Sequence, residues 1–296
     1  MSSSKVEKVF DIMMLGHFAR DLNVTDGVEK LESGGAVYYG AVAAAKTGAK
    51  VGVISRLNPR DFNYLFELLK YGVEVFPQAS AKTSGIKNVY QSSNMDQRTC
   101  TLINFAGTYM LNEVLNVPTK IFSIAGIIAP EVNLPLLKAL HERYPGKIAA
   151  DLQGFMRFVE GNNLVFHPWP EQGEGLKLIT YLKCDSNESE IATGIKDIRE
   201  AGRKLKSMGP KDVILTHAKG VTVFTDEGIF EAPWQAKSMK GRTGRGDTTF
   251  ASYLAKRVTS GSKEAVEWAA ALGSLKMETP GPFNRSLDEV KALLQK

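Results

Sequence analysis

The apolar positions of this chain change period repeatedly along its length. Residues 8–16, KVFDIMMLG, form a short, nearly continuous apolar run that ends in a glycine, as a strand buried on both faces would. Residues 36–48, AVYYGAVAAAKTG, predict a helix of small side chains closed by Gly48, and KVGVISRL at 50–57 returns to strand. The alternation continues with an amphipathic helix at 61–72 (DFNYLFELLKYG), a strand at 121–128 (IFSIAGII), a helix at 134–146 and a strand at 147–154. Further on come ITYLKCD, IREAGRKLKSMG, DVILTHAKG and VTVFTD, then two late helices at about 247–259 and 263–276. Strands that alternate with helices predict an α/β fold with a parallel sheet covered on both faces.

Two stretches break the rhythm. Residues 20–35, RDLNVTDGVEKLESGG, carry an Asp-Gly turn at Asp26 and Gly27, and residues 83–105 alternate without a helical period. Both predict β-hairpins. The small sheet they would make has one apolar face and no sequential element to cover it. It is expected to act as a flap over the main domain or as a contact in a homodimer. No internal repeat or low-complexity segment interrupts the 296 residues, and a single domain is expected with these hairpins inserted.

Composition narrows the class. With 43% hydrophobic and 23% charged residues the chain is expected to be globular. Two cysteines, Cys100 and Cys184, are too few for a disulfide framework and read as buried thiols of a reducing cytoplasm. The N-terminal apolar run carries Asp11 and lacks a small-residue cleavage site, and no segment reaches the roughly 18 apolar residues of a membrane span. A cytoplasmic protein without a membrane partner is expected. The net charge of +5 comes from Lys and Arg interleaved with Asp and Glu, which argues for small anions rather than nucleic acid.

The candidate chemistry centres on residues 241–250, GRTGRGDTTF. Gly244 and Gly246 would let the main chain approach an anion at the start of the following helix, where unpaired N–H groups and the dipole favour negative charge. Asp247 at the helix mouth reads either as an N-cap or as a catalytic base. The G-x-x-x-x-G-K-[ST] loop of common NTPases is absent. The four histidines share no metal-ligand spacing; His17, following Gly16, reads as a turn residue near the cleft, and HPWPEQGEG at 167–175, with Trp169, as a surface loop.

TGRGDTTFASYLA resembles the C-terminal T-G-A-G-D-x-F signature of the PfkB or ribokinase family of sugar kinases, and GGAVYYGAVAAAKTGAKVGVISRL resembles its N-terminal signature. The resemblance covers essentially the whole chain: the hairpins fall where that family carries a β-sheet lid, and CDSNESEIATG where it carries N-x-x-E. It implies a ribokinase-like three-layer α/β/α sandwich with a mainly parallel central sheet plus a small β-sheet lid, lid hairpins at about 20–35 and 83–105, and transfer of the γ-phosphoryl of ATP to a hydroxyl with Mg²⁺.

By this resemblance Asp247 is the base, and the amides of Gly244, Arg245 and Gly246 form the anion hole. Asp21, Gly34, Gly35, Tyr39 and Arg157 would hold the acceptor; Thr216, Gly220, Thr243 and Gly281 would border the nucleotide. Glu188, with Asp185 where the family has asparagine, would order water around magnesium. GHFARD, GRTGRGD and KMETPGP together look most like the myo-inositol or polyol kinase branch. A nucleoside acceptor, with Tyr38 and Tyr39 stacking a base, and a kinase-like regulator without turnover are the alternatives.

Overall fold

The computed structural model describes residues 8–91 and 94–295. Alternation of strand and helix builds a nine-stranded sheet in the order Ile229–Pro233, Gly220–Phe224, Asp212–His217, Tyr181–Asp185, Ile148–Asp151, Thr119–Ile124, Phe10–Leu15, Val51–Leu57, Glu74–Ala79. From Asp212–His217 through Glu74–Ala79 all neighbours run parallel, and the hairpin of Gly220–Phe224 with Ile229–Pro233 adds an antiparallel edge.

Helices cover both faces. Along Phe10–Leu15, Ile12 and Met14 pack with helices Ala36–Lys46, Arg245–Arg257 and Ser262–Met277, whereas Met13 and Leu15 pack on the other side with helices Leu134–Arg143 and Ile198–Ser207. Period-2 side-chain alternation in a strand with apolar residues at every position produces these two cores. Among the described residues no helix is long and apolar enough to cross a membrane.

The two hairpins form part of a second, six-stranded sheet, in the order Arg157–Glu160, Asn163–Phe166, Asn94–Asn104, Gly85–Gln91, Ala19–Thr25, Val28–Gly34. Asp26 and Gly27 both adopt positive φ, 49° and 81°, which matches the twist a two-residue hairpin turn needs. Residues 92–93, within the second expected hairpin, lie outside the described residues.

Several expectations are corrected. The stretch 61–72 is no continuous helix but a single α turn at Phe62–Leu65 flanked by 3₁₀ turns at Pro59–Asp61 and Phe66–Tyr71. The strand expected over 121–128 ends at Ile124, because the Ile127 and Ile128 amides turn to the buried carboxylate of Glu131, at 2.7 and 2.9 Å. Trp169 is buried, not at the surface, stacked on Phe155 with ring centroids 4.3 Å apart. Strands Glu74–Ala79, Arg157–Glu160, Asn163–Phe166 and Ile229–Pro233 and helices Ser186–Thr193 and Leu287–Leu294 were not anticipated.

Candidate active site

Between the two sheets lies a cleft of about 530 Å³. Its floor is the carboxyl edge of the parallel strands, where Asp185 ends one strand and Thr216 lies beside it in register on the next. Open α/β sheets collect ligands at this edge. The six-stranded sheet covers it with Asp21, Asn88, Tyr90 and Cys100.

The glycine-rich segment enters this cleft as the start of helix Arg245–Arg257. Gly244 is the N-cap, with φ 80° and ψ 10°, and a side chain there would overlap the Tyr39 ring. Glycine is therefore required both by the left-handed backbone and by the closeness of the aromatic ring. Asp247 is the third residue of the helix, so the N-cap reading of this carboxylate is set aside; it borders the cleft in the first turn, where the dipole favours its charge. The Arg245 amide departs from the expected anion hole, since it donates to the Arg242 carbonyl at 3.1 Å. Among the described residues the amides of Gly244 and Gly246 make no main-chain hydrogen bond outside the helix, which leaves these two as the candidate cradle for an anion.

Most of the residues singled out in the sequence meet here: Asp21, Gly35, Tyr39, Arg157, Asp185, Glu188, Thr216, Thr243, Gly244, Arg245, Gly246 and Asp247 all line the cleft. Gly34 stands one step behind, where any side chain would overlap the Asp21 carboxylate. Asp21 is buried and accepts from the Ile86 amide at 3.0 Å, a bond that crosses between two strands and fixes its orientation. Tyr39 is 5% exposed; burial, then the charges of Asp21, Glu32 and Asp247, push its hydroxyl well above the usual range, so it stays neutral.

Gly220 and Gly281 fall outside the cleft lining. Gly220 starts the strand next to the sheet edge, packed against the Ala232 carbonyl of the edge strand, and Gly281 has open space around it at φ 81°. Arg157 is buried, and its Nε donates to the Ile127 carbonyl at 2.6 Å. His17 is also fully buried and away from the cleft, its Nδ1 2.8 Å from Ser84 Oγ.

The residue that sequence reasoning missed is Lys183. Its Nζ lies 2.9 Å from Asp151 and 3.7 Å from Glu188, and a Cβ on Gly246 would come within 3.2 Å of it. A positive charge thus stands directly behind the cradle. Burial opposes that charge, but Asp151 above all, then Glu188, Asp185 and Asp247, outweigh it and hold the ammonium above the ordinary lysine range. No local pattern marks Lys183, since its partners lie on another strand and on the following helix.

Asp185 and Glu188 form a reciprocal cap on helix Ser186–Thr193: the Glu188 amide donates to Asp185 Oδ1 at 2.8 Å and the Asp185 amide to Glu188 Oε2 at 2.7 Å. Glu188 is buried, and desolvation raises its carboxyl against the pull of Lys183. Among the described residues Asp185 Oδ2 and Glu188 Oε1 take no part in this cap and can accept from water. Among the described residues no cluster of three or more His, Cys, Asp or Glu is placed to hold a metal. The pair suits magnesium, which keeps most of its ligands as water and substrate phosphate.

Lys183, Arg242 and Arg245 bring positive charge to the cleft lining beside these carboxylates. Residues 10–289 match the model of the pfkB family of carbohydrate kinases. The chain belongs to that family. Phosphoryl transfer to a hydroxyl is accordingly its class of reaction, and the pfkB fold accounts for both sheets.

Among solved structures, a pyrophosphate-dependent kinase of the ribokinase family, complexed with a pyrophosphate analog and myo-inositol, is 34% identical. The match covers 95% of this chain and 99% of that one, with a TM-score of 0.87. A ribokinase from Arabidopsis thaliana complexed with ribose and ATP shares the fold at 20% identity, a TM-score of 0.76, and coverage of 98% and 100%. A cytidine kinase from Thermococcus kodakarensis is 26% identical over 265 residues, 83% of this chain and 88% of that protein.

Proposed function

We propose that this pfkB kinase phosphorylates a hydroxyl of a cyclitol, with myo-inositol the first candidate, and that its donor is inorganic pyrophosphate rather than the ATP expected from the sequence. The observation that carries the donor is the position of Arg245. This arginine stands where the family signature has alanine; its guanidinium lies 5.3 Å over the Trp234 ring and 3.9 Å from the Met277 sulfur. Its charge thus takes up space beside the cradle where a small apolar residue would leave room for a flat base. A donor made only of phosphate must be held by charge, and Arg242, Arg245 and Lys183 supply it.

In this reading the acceptor hydroxyl gives its proton to the Asp247 carboxylate as its oxygen bonds to phosphorus, and the phosphorus–oxygen bond to the departing phosphate breaks. The amides of Gly244 and Gly246 meet the charge on the transferred group, backed by the helix N-terminus and Lys183. Magnesium, ordered through water by Asp185 and Glu188, would neutralise donor charge. Asp21, oriented by Ile86, accepts from acceptor hydroxyls, and the six-stranded sheet serves as the lid that excludes water, which would otherwise take the phosphoryl group. Leu31, Val89 and Ile103, exposed on the opposite face of that sheet, support self-association there, which sedimentation tests.

A nucleoside acceptor with ATP is the second reading, favoured by the cytidine kinase relative and by Tyr39, Tyr90 and Phe166 in the cleft. Crossing pyrophosphate and ATP with myo-inositol, cytidine and adenosine, and identifying products by mass, separates the two. Turnover with ATP and cytidine but not with pyrophosphate and inositol would replace the first reading by the second.

A further inference from the structure

Lys276 is among the largest fully buried side chains of the molecule, 1% exposed in the last turn of helix Ser262–Met277. Lysines are seldom buried without a carboxylate partner. The bonds of this one run instead to main-chain oxygens: Nζ is 2.6 Å from the Gly241 carbonyl and 3.3 Å from that of Thr279. The same ammonium lies 5.5 Å above the Tyr39 ring centroid. Carbonyl oxygens and an aromatic face are the ligands that accommodate a weakly hydrated monovalent cation, and the negative end of a helix adds to them.

These contacts converge on the loop that makes the cradle. Gly241 is pressed to the helix end: its amide donates to the Met277 carbonyl at 2.7 Å, and a side chain on it would overlap the Thr279 carbonyl. Three residues on, Gly244 is packed against Tyr39, the ring that the ammonium faces. Lys276 therefore holds the beginning of the loop directly and its end through Tyr39. Burial lowers the ammonium to about 8, opposed by the charges of Asp247 and then Glu32, which favour it.

We propose that the Lys276 ammonium is a tethered internal cation that fixes residues 241–246 in the shape that receives the transferred phosphoryl group, making Lys276 a positioning residue for the reaction and turnover independent of added monovalent ions. The inference rests on the phosphoryl-transfer reading of this cleft. It assigns to a side chain the place that a bound potassium or ammonium ion would otherwise fill, between two carbonyls and a ring.

The test compares the wild-type protein, K276A and K276M in tetramethylammonium, sodium and potassium chloride at one ionic strength, with pyrophosphate or ATP as donor and myo-inositol as acceptor. Wild-type turnover decides the function; the ratios between salts decide the tether. Wild type is expected to vary less than twofold across the salts. K276A should lose at least tenfold in kcat in tetramethylammonium and recover several-fold in potassium, whereas K276M, whose side chain fills the space, should lose activity and stay low. A several-fold potassium activation of wild type, a K276A turnover within twofold of wild type, or a K276A loss indifferent to potassium overturns the proposal. Thermal unfolding provides a reading without substrate: potassium should raise the midpoint of K276A over tetramethylammonium and leave wild type unchanged, and equal shifts would refute the tether. Should wild type turn over no acceptor, the functional reading fails and this unfolding comparison still decides the tether.

Discussion

The hydroxyl of Tyr90 lies 3.0 Å from Oγ1 of Thr243, joining a strand of the six-stranded sheet to the loop that leads into helix Arg245–Arg257. One contact thereby ties the sheet that covers the cleft to the segment that precedes Asp247. A neutral hydrogen bond of this kind is worth about 0.5–1.5 kcal/mol. Y90F is expected to lower kcat/KM by about 2- to 12-fold, the conversion of that energy, with an unchanged unfolding midpoint. Steady-state kinetics beside a thermal melt would check it; a lowered midpoint with unaltered kinetics would make the contact one of stability alone.

Asp247 is not the cap of its helix, so its removal should cost chemistry and not folding. D247N is expected to reduce kcat by at least about 10²-fold, the ordinary worth of a positioned base, while the unfolding midpoint stays within a few degrees. Retention of more than a tenth of the wild-type kcat would remove Asp247 from the role of base.

The two cradle glycines should respond differently to alanine. G244A meets both a positive φ and the Tyr39 ring, and loss of stability is expected on the order of 1–3 kcal/mol. G246A needs Lys183 Nζ to give way from 3.2 Å, so a nearly normal melt with about 10-fold or greater loss of kcat is expected. Denaturant titration and turnover, measured on both variants, would reveal the contrast or its absence.

R245A separates the donors. Removing a charge-assisted contact worth about 1.5–3 kcal/mol should lower kcat/KM for pyrophosphate by roughly 10- to 150-fold, and for ATP by much less. Equal losses with both donors would leave the choice of donor to some other residue.

Lys183 ties pH to the site. Burial raises Glu188 above its ordinary value of 4.5 and Lys183 pulls it back, so K183M should raise it further. Turnover that needs the ionised carboxylate increases with pH, and its acidic limb is expected to move to higher pH in K183M. Stability runs the opposite way: between the unfolded value and the raised folded one the folded chain retains the proton, so the contribution of Glu188 to stability falls as pH rises through that window. A pH–rate profile with an unmoved acidic limb would disconnect Lys183 from Glu188.

Much of the fold was legible because its determinants are local. Apolar runs broken by glycine marked the parallel strands, Asp26-Gly27 marked a hairpin, and the glycines and acid of residues 241–250 marked the helix mouth that borders the cleft. What escaped was decided at a distance. Arg157–Glu160 and Asn163–Phe166 are four-residue strands that exist because Asn94–Asn104 offers an edge. The apolar stretch 121–128 leaves its sheet for a carboxylate at Glu131, and Phe62–Leu65 shortens to a single turn between 3₁₀ segments. Lys183 and Lys276 look like any other lysine in a one-dimensional reading; their meaning lies in Asp151 and in two carbonyls brought up by the fold.

Asp21, Asn88 and Tyr90 reach the cleft from the smaller sheet, while Asp247, Gly246 and Lys183 reach it from the larger sheet and its helices. Under the proposed function, substitutions at Asp21 or Asn88 would change the choice of alcohol while Asp247, Gly246 and Lys183 stay as they are on the other layer.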